Sequence, residues 1–250
     1  MAIDVHCHLQ DFDESYIKSL LKQKSVYPII SGYSESSNKR AYELHKKYSI
    51  PFYVGIAPQV VINENFSFSS IKKFLDDAVA IGEVGLDYKW AKTDEERKKQ
   101  KDAFIKFLDL AHTFKLPLVI HCRNAYTELI ELLKEYGNKQ PILMHSFFGT
   151  TLHATLLSSN WKVLFSINTL KTKDKKAVIR RFGINFFVTE TDCPYIDKNP
   201  EMVYKSISMI SEEKNMDERK VEELTMKNAI EFFKLEKEKI KDYCINNASS

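Results

Sequence analysis

The sequence predicts an α/β protein, a single (β/α)8 barrel of the TIM type over residues 1–250. Three observations carry that expectation. Short apolar runs alternate eight times with longer amphipathic ones, at a spacing of roughly thirty residues, the size of a strand–helix–strand unit. The apolar runs are continuous, as in strands buried on both faces of a parallel sheet. No linker, low-complexity tract or composition break divides the chain, which favours closure of all eight units into one barrel. An open doubly wound sheet is the alternative, and the lack of a Gly-rich turn after the first strand weighs against it.

Ala2 to Leu9 reads as the first strand and Glu14 to Lys24 as a helix. The second strand is Tyr27 to Tyr33, followed by a polar helix from Ser37 to Tyr48. Phe52 to Ala57 supplies the third strand, Ser69 to Ala80 a helix, and Ala80 to Gly85 the fourth strand. Thr93 and Glu96 form a capping box, in which each side chain satisfies the other's backbone N–H, and a long helix to about Lys115 follows. Pro117 opens the fifth strand, Leu118 to Cys122. Tyr126 to Tyr136 is helical, and Gly137 suits the left-handed residue that ends a helix. Pro141 opens the sixth strand, Ile142 to His145, and Thr151 to Ser158 is a short helix. Lys162 to Ile167 is the seventh strand, Lys173 to Arg181 a helix, and Phe186 to Glu190 the eighth strand; Glu201 to Asp242 is helical.

Apolar residues make up 44% of the chain, enough to fill such a core. Lys and Arg exceed Asp and Glu by 37 to 34, a net +3 that describes a mixed-charge surface and does not by itself point to nucleic acid. The cysteines Cys7, Cys122, Cys193 and Cys244 show no CxxC spacing and no disulfide framework. With a Lys- and Glu-rich composition they suit a reducing cytosol, so a cytoplasmic location is expected. No signal-peptide pattern precedes the first motif and no apolar run approaches bilayer length, so neither a cleaved leader nor a membrane partner is expected.

Active sites of such barrels lie at the C-terminal ends of the strands. The first strand carries Asp4-Val-His-Cys-His-Leu9, where alternation places Asp4, His6 and His8 on one face and Val5, Cys7 and Leu9 on the other. The fourth strand delivers Glu83 and Asp87, the fifth His121-Cys-Arg123, the sixth His145 and the eighth Glu190-Thr-Asp192. Each residue alone has an ordinary structural explanation: a surface pair, a salt bridge, a satisfied core imidazole, a turn opener. Four of seven histidines at strand ends make the clustering the signal. His45, His112 and His153 fall in helical stretches and are read as structural or surface residues. Cys7 and Cys122 are expected to face the surrounding helices as small hydrophobes, the direction of Cys193 stays open, and Asp4 is expected deeper on the His6/His8 face, where it could orient an imidazole.

Mixed imidazole and carboxylate donors suit Zn²⁺, Mn²⁺, Co²⁺ or Fe²⁺, with Mg²⁺ if carboxylates and water dominate. His6, His8, Glu83, His121, His145 and Asp192 exceed what one ion needs, so two divalent ions (Mg, Mn or Zn) sharing a carboxylate are expected. Asp192 could take the proton of an attacking water and pass it to the leaving group. Arg123 shares the face of His121 and suits bidentate phosphate binding, with a salt bridge to Asp192, Glu83 or Asp87 as the alternative. Lys89, Trp90 and Lys92 could hold a nucleic-acid strand by charge and stacking, or form an ordinary loop.

Asp4-Val-His-Cys-His-Leu9, Gly82-Glu-Val-Gly-Leu-Asp-Tyr88, Pro117-Leu-Val-Ile-His-Cys-Arg123, Met144-His-Ser-Phe-Phe-Gly149 and Glu190-Thr-Asp-Cys-Pro-Tyr195 occur in order, and Asn228 stands five residues before Phe233. This series closely resembles the motif blocks of the TatD family of metal-dependent hydrolases, within the amidohydrolase-like barrels. The resemblance implies a divalent-metal-dependent deoxyribonuclease, a 3′ to 5′ exonuclease with single-stranded DNA as substrate. It also implies that His6, His8 and Asp192 hold one ion, that Glu83 bridges, and that His121 and His145 hold the second. The chain departs from the family in Gly55-Ile-Ala-Pro58, where Gly-x-His-Pro is usual, in Asn124 for Asp, in Ser146 and Phe148 within the sixth-strand block, and in the short Ile196 to Pro200 loop. None of these is a proposed ligand; they fall on the expected substrate surface. The alternatives are a barrel metallohydrolase of another ester or amide, such as a deacylase, and a non-catalytic barrel that binds metal or nucleic acid. The full ligand set with Asp192 argues against the last, and Arg123 favours the phosphodiester reading. No obligate protein partner is evident.

Overall fold

The computed structural model describes residues 1–245; residues 246–250 of the expected barrel span, and the Cys244 thiol, lie outside the described residues. Strands β1 (Ala2–Cys7), β2 (Val26–Ser31), β3 (Phe52–Tyr53), β4 (Ile81–Asp87), β5 (Leu118–Arg123), β6 (Ile142–Met144), β7 (Val163–Ile167) and β8 (Phe187–Thr189) follow the predicted order. They pair in parallel as two sheets, β1 to β3 and β4 to β8. Among the described residues no continuous ladder closes the ring, but main-chain bonds cross both seams. Val79 N–H donates to Phe52 O at 2.9 Å and Gly82 N–H to Val54 O at 3.0 Å. Across the other seam Asp192 N–H donates to His6 O at 2.9 Å and His8 N–H to Cys193 O at 2.8 Å. The arrangement is α/β and TIM-barrel-like.

The helices are α1 (Glu14–Gln23), α2 (Glu35–Tyr48), α3 (Pro58–Asn63), α4 (Phe68–Lys72), α5 (Asp94–Phe114), α6 (Tyr126–Tyr136), α7 (Thr151–Asn160), α8 (Lys173–Arg181), α9 (Val203–Lys214), α10 (Glu218–Phe233) and α11 (Lys237–Ile245). The Thr93/Glu96 capping box is formed, with Glu96 N–H on Thr93 Oγ1 at 3.2 Å and Thr93 N–H on Glu96 Oε2 at 3.0 Å. Gly137 ends α6 at φ 70°. The third strand stops short of the expected Ala57 because the Asn38 side chain takes the next main-chain groups. Its amide donates to Gly55 O at 2.8 Å and accepts from Gly55 N–H at 3.2 Å. The chain then turns into α3, which opens on Pro58, where a missing N–H costs nothing. The expected helix from Ser69 to Ala80 shrinks to α4. The C-terminal helical stretch breaks after Lys214 and Phe233, where Asn215 and Lys234 take left-handed φ values of 50° and 52°.

Two apolar layers result. Ile3, Val5, Tyr27, Ile29, Tyr53, Val119, Leu143, Leu164 and Val188 fill the inside, and Ala229, Phe232 and Phe233 of α10 pack onto them. Asn228 fastens that helix to the lower end of β8 by donating to Ile184 O at 2.9 Å and Phe187 O at 2.8 Å. Phe233 then stacks on Tyr53 with centroids 6.1 Å apart. Cys7 and Cys122 belong to the outer layer between strands and helices, as alternation predicts.

Asp4 corrects one expectation. The β1–β2 register shifts between Asp4 and Cys7, so Val5 and His6 both turn inward and Asp4 joins Cys7 and Cys193 on the far side. There it accepts from Thr191 N–H at 3.0 Å, Thr191 Oγ1 at 2.5 Å and His6 N–H at 3.2 Å. It orients no imidazole; it ties the β1 main chain to the loop that carries Asp192. Burial pushes its carboxyl well above the usual range despite these bonds.

Candidate metal centre

Strand β4 sets the site's floor. Glu83 stands between two glycines pressed against β5, where a Cβ on Gly82 would lie 2.5 Å from Val119 Cβ and one on Gly85, at φ 142°, 2.0 Å from His121 O. Bulk at either position would push Glu83 away from β5. The Glu83 carboxylate meets three imidazoles: His121 Nδ1 at 2.8 Å, His6 Nε2 at 3.8 Å and His145 Nε2 at 3.9 Å. Asp192 faces it from beyond β8, with His8 Nε2 at 3.2 Å, His6 Nε2 at 3.6 Å and His145 Nε2 at 3.7 Å. All six residues singled out from sequence thus converge on one spot.

Among the donor atoms, two groups overlap at Glu83. Those of His6, His8 and Glu83 lie within 4.8 Å of one another, and so do those of Glu83, His121 and His145. Glu83 belongs to both. Two ligand atoms each about 2.1 Å from one ion sit about 3.0–3.4 Å apart, and the 3.2 Å between His6 Nε2 and His8 Nε2 matches that spacing.

Each imidazole is fixed by its other nitrogen. His8 Nδ1 lies 2.9 Å from Ser31 O, which can only accept, so Nδ1 carries a proton and Nε2 turns to the site. There, against the lowering effect of burial, the Asp192 carboxylate 3.2 Å away raises the imidazole above its usual value. Tyr53 Oη donates to Val5 O at 3.3 Å and lies 2.7 Å from His6 Nδ1, leaving His6 Nε2 bare. The His145 Nδ1–H donates to Glu190 Oε2 at 3.0 Å, and that carboxylate also accepts from Ser166 Oγ. The His121 Nε2 is 2.9 Å from Asp87 Oδ2, so its Nδ1 is the nitrogen turned to Glu83. His6 Nε2 and His8 Nε2, 3.2 Å apart, share one side of the cluster with the Glu83 and Asp192 carboxylates, and carboxylate–imidazole–metal triads of this kind hold ligands at metal sites generally. The residues present therefore fit a divalent ion. Tyr53, Asp87 and Glu190 are the orienting groups that sequence reasoning did not assign. Asp87 and Glu190 were visible inside the motif blocks; nothing in the sequence marked Tyr53.

Burial alone lowers the pKa values of His145 and His121, but carboxylates reverse this: Glu190, Asp192 and Glu83 raise His145 to about 9, and Asp87 and Glu83 raise His121 to about 10. Without metal both carry protons at neutral pH, and both must lose one to ligate. Adding Zn²⁺ or Mn²⁺ to metal-free protein at pH 7 is expected to release about one to two protons per chain and to bind more tightly as pH rises toward 9. Calorimetry in buffers of different ionisation enthalpy measures this; release of no protons would contradict it.

Above the cluster opens a cleft of about 950 Å³, lined by all the proposed ligands except the buried His6 and by Arg123, Trp90, Tyr195, Ser146, Phe148 and Leu170. Arg123 is exposed. Glu83 and Asp87 pair with His121, and Asp192 with His6, His8 and His145, so the salt bridge considered for Arg123 is not formed. Trp90 and Tyr195 are 54% and 62% exposed on its walls, whereas Lys89 and Lys92 do not line it. His153, expected to be a structural or surface residue, stacks on Tyr126 with centroids 4.8 Å apart and lines the cleft. No helix among the described residues is long and apolar enough to cross a membrane.

Parallel strands that end on clustered imidazoles and carboxylates define a metal-dependent hydrolase. The chain belongs to the TatD family: the family model described as TatD related DNase matches residues 3–234. An uncharacterized metal-dependent hydrolase of Methanocaldococcus jannaschii is 30% identical over 251 residues, 93% of this chain and 96% of that one. Human deoxyribonuclease TATDN3 is 26% identical, over 92% of this chain and 94% of its own. Among solved structures, the TatD homologue YjjV of Escherichia coli superposes with a TM-score of 0.81 at 20% identity, covering 94% of this chain and 98% of its own. A TatD-family hydrolase of Entamoeba histolytica gives 0.79 at 20% identity, covering 92% and 97%.

Proposed function

We propose that the chain is a divalent-metal-dependent deoxyribonuclease that removes nucleotides from the 3′ end of single-stranded DNA. The observation that carries this reading is Arg123, an exposed guanidinium on the cleft wall, one alternation step beyond His121 and free of the neighbouring carboxylates. A phosphodiester gives that fork a bidentate partner; a neutral ester does not. Trp90 and Tyr195 offer ring faces on which unpaired bases stack. The relative named a deoxyribonuclease supports the same substrate class.

In this reading His6, His8 and Asp192 would hold one ion and His121 and His145 a second, with Glu83 available to either. Two bound ions would lower the pKa of a water and stabilise charge on the phosphoryl group. Asp192 accepts the proton of the attacking water and returns it to the departing 3′ oxygen. Arg123 binds and aligns the phosphate. Tyr53, Asp87 and Glu190, with Ser31 O, keep the ligand nitrogens bare and aimed.

Purified protein incubated with 3′-labelled single-stranded DNA is expected to release labelled mononucleotide with Mg²⁺, Mn²⁺ or Zn²⁺ and nothing with EDTA. Arg123→Ala is expected to lower kcat/KM on phosphodiesters about 100-fold, the loss of a hydrogen bond to a charged group, and to leave a neutral ester within about twofold. The apolar rim at Phe148 and Leu170 favours one second reading, hydrolysis of an acyl ester or amide. Intact DNA with every metal, or equal losses on both substrates, would decide for it.

A further inference from the structure

Lys175 in α8 is fully buried, and the reaction as described does not use it. Its ammonium donates to Asn168 Oδ1 and lies 4.2 Å from the centroid of the Phe148 ring on the cleft wall. An ammonium has no acceptor capacity, so the atom against it must be the amide oxygen. Leu170 N–H donates to the same oxygen at 3.2 Å. Two donors fix the amide's orientation, and Asn168 Nδ2 must then donate to Ser146 Oγ, 2.6 Å away. With that lone pair occupied by a donor, the Ser146 hydroxyl hydrogen cannot point at Asn168. The Ser146 N–H is held separately, donating to Ser166 Oγ at 3.0 Å. Ser146, at a left-handed φ of 45°, lines the cleft next to His145.

We propose that Ser146 binds the substrate: its hydroxyl, turned outward by Asn168 and Lys175, donates to an anionic phosphoryl oxygen beside His145. Asn168 and Lys175 are positioning residues that act through it. The inference rests on the phosphodiester reading of the cleft. Burial pulls the Lys175 ammonium down to about 8 while the charges of Glu190 and Asp197 hold it up, so it is charged at neutral pH and adds positive potential behind the hydroxyl.

Asn168→Asp separates this relay from a packing role. The new carboxylate keeps the side-chain volume and pairs with Lys175, so the melting temperature holds or rises. It can only accept, so it draws the Ser146 hydroxyl inward. Ser146→Ala and Asn168→Asp are each expected to raise KM for a phosphodiester about tenfold, one hydrogen bond to a charged oxygen, with kcat changed less. The double variant should be no worse than either single. Inorganic phosphate binding to metal-loaded protein, followed by calorimetry, is expected to weaken to the same degree in both variants. That second readout stands apart from nuclease activity: weakened phosphate binding with no DNA cleavage by the wild type would keep the subsite and reject the nuclease. Phosphate that fails to bind the wild type, or binds all variants alike, overturns the proposal, as does Asn168→Asp with wild-type KM.

Discussion

Asp192→Asn is expected to abolish hydrolysis while leaving the fold in place. The backbone at position 192 sits at φ 55°, a left-handed conformation that Asn adopts as readily as Asp. Its main-chain bonds, N–H to His6 O at 2.9 Å and carbonyl from Tyr195 and Ile196 N–H at 2.9 Å each, involve no side-chain atom and survive the change. What disappears is a carboxylate whose two oxygens face His8, His6 and His145. An amide oxygen can still coordinate weakly, but an amide cannot take a proton at neutral pH. A fall in kcat of about 10³-fold or more is therefore expected, with unchanged near-ultraviolet circular dichroism. Metal content at saturating Mn²⁺ separates the two roles of the residue. A variant that recovers its rate as metal is raised would assign Asp192 to ion binding alone.

The convergence of the six candidate donors was legible because strand ends are where alternation and motif spacing are least ambiguous. His6, His8, Glu83, His121, His145 and Asp192 all lie where the sequence places them. The reading failed where the backbone departs from a regular strand. Strict alternation carried Asp4 to the histidine face, whereas one irregular step in β1 sends it to the opposite side with Cys7. The third strand ended early because a side chain, Asn38, replaced a strand neighbour, an event with no periodic signature. The orienting shell was harder still. Tyr53 acts on His6 from a different strand, and Glu190 acts on His145 from two strands away, so only the pairing of strands distant in sequence brings them together.

Burial and the cluster's own members set its charges. His6 is pulled well below the usual imidazole range by burial and by the charges of His145, His8 and His121, so it stays neutral and ready to ligate. Glu83 goes the other way. Burial alone would raise its carboxyl, but the bond from His121 and the charges of His145, His121 and His8 bring it down to about 2.

Glu83→Gln is expected to be as damaging as the Asp192 change, for a different reason. Glu83 is the one residue common to both donor groups, so its loss weakens both, and bound metal at moderate concentration should fall by about half or more with kcat down about 10³-fold. Gln keeps the volume between Gly82 and Gly85, so the β4–β5 contact stands. The metal-free protein gives an independent check through pH. A carboxyl lowered from 4.5 to about 2 stabilises the fold above 4.5, and the gain is lost as pH falls toward 2. An imidazole raised from 6.5 to about 10 stabilises below 6.5, and that gain is lost as pH rises toward 10. Against burial, the Asp87 bond raises His121 most and the Glu83 bond next, and the Glu83 part is the same Glu83–His121 contact seen from its other end, so it counts once. The gap in melting temperature between wild type and Glu83→Gln should then be widest from pH 4.5 to 6.5 and narrow on either side. A gap that stays flat from pH 3 to 10 would mean that the two side chains do not share that contact in solution, and with it would go the assignment of His121 Nδ1 as the nitrogen facing the metal.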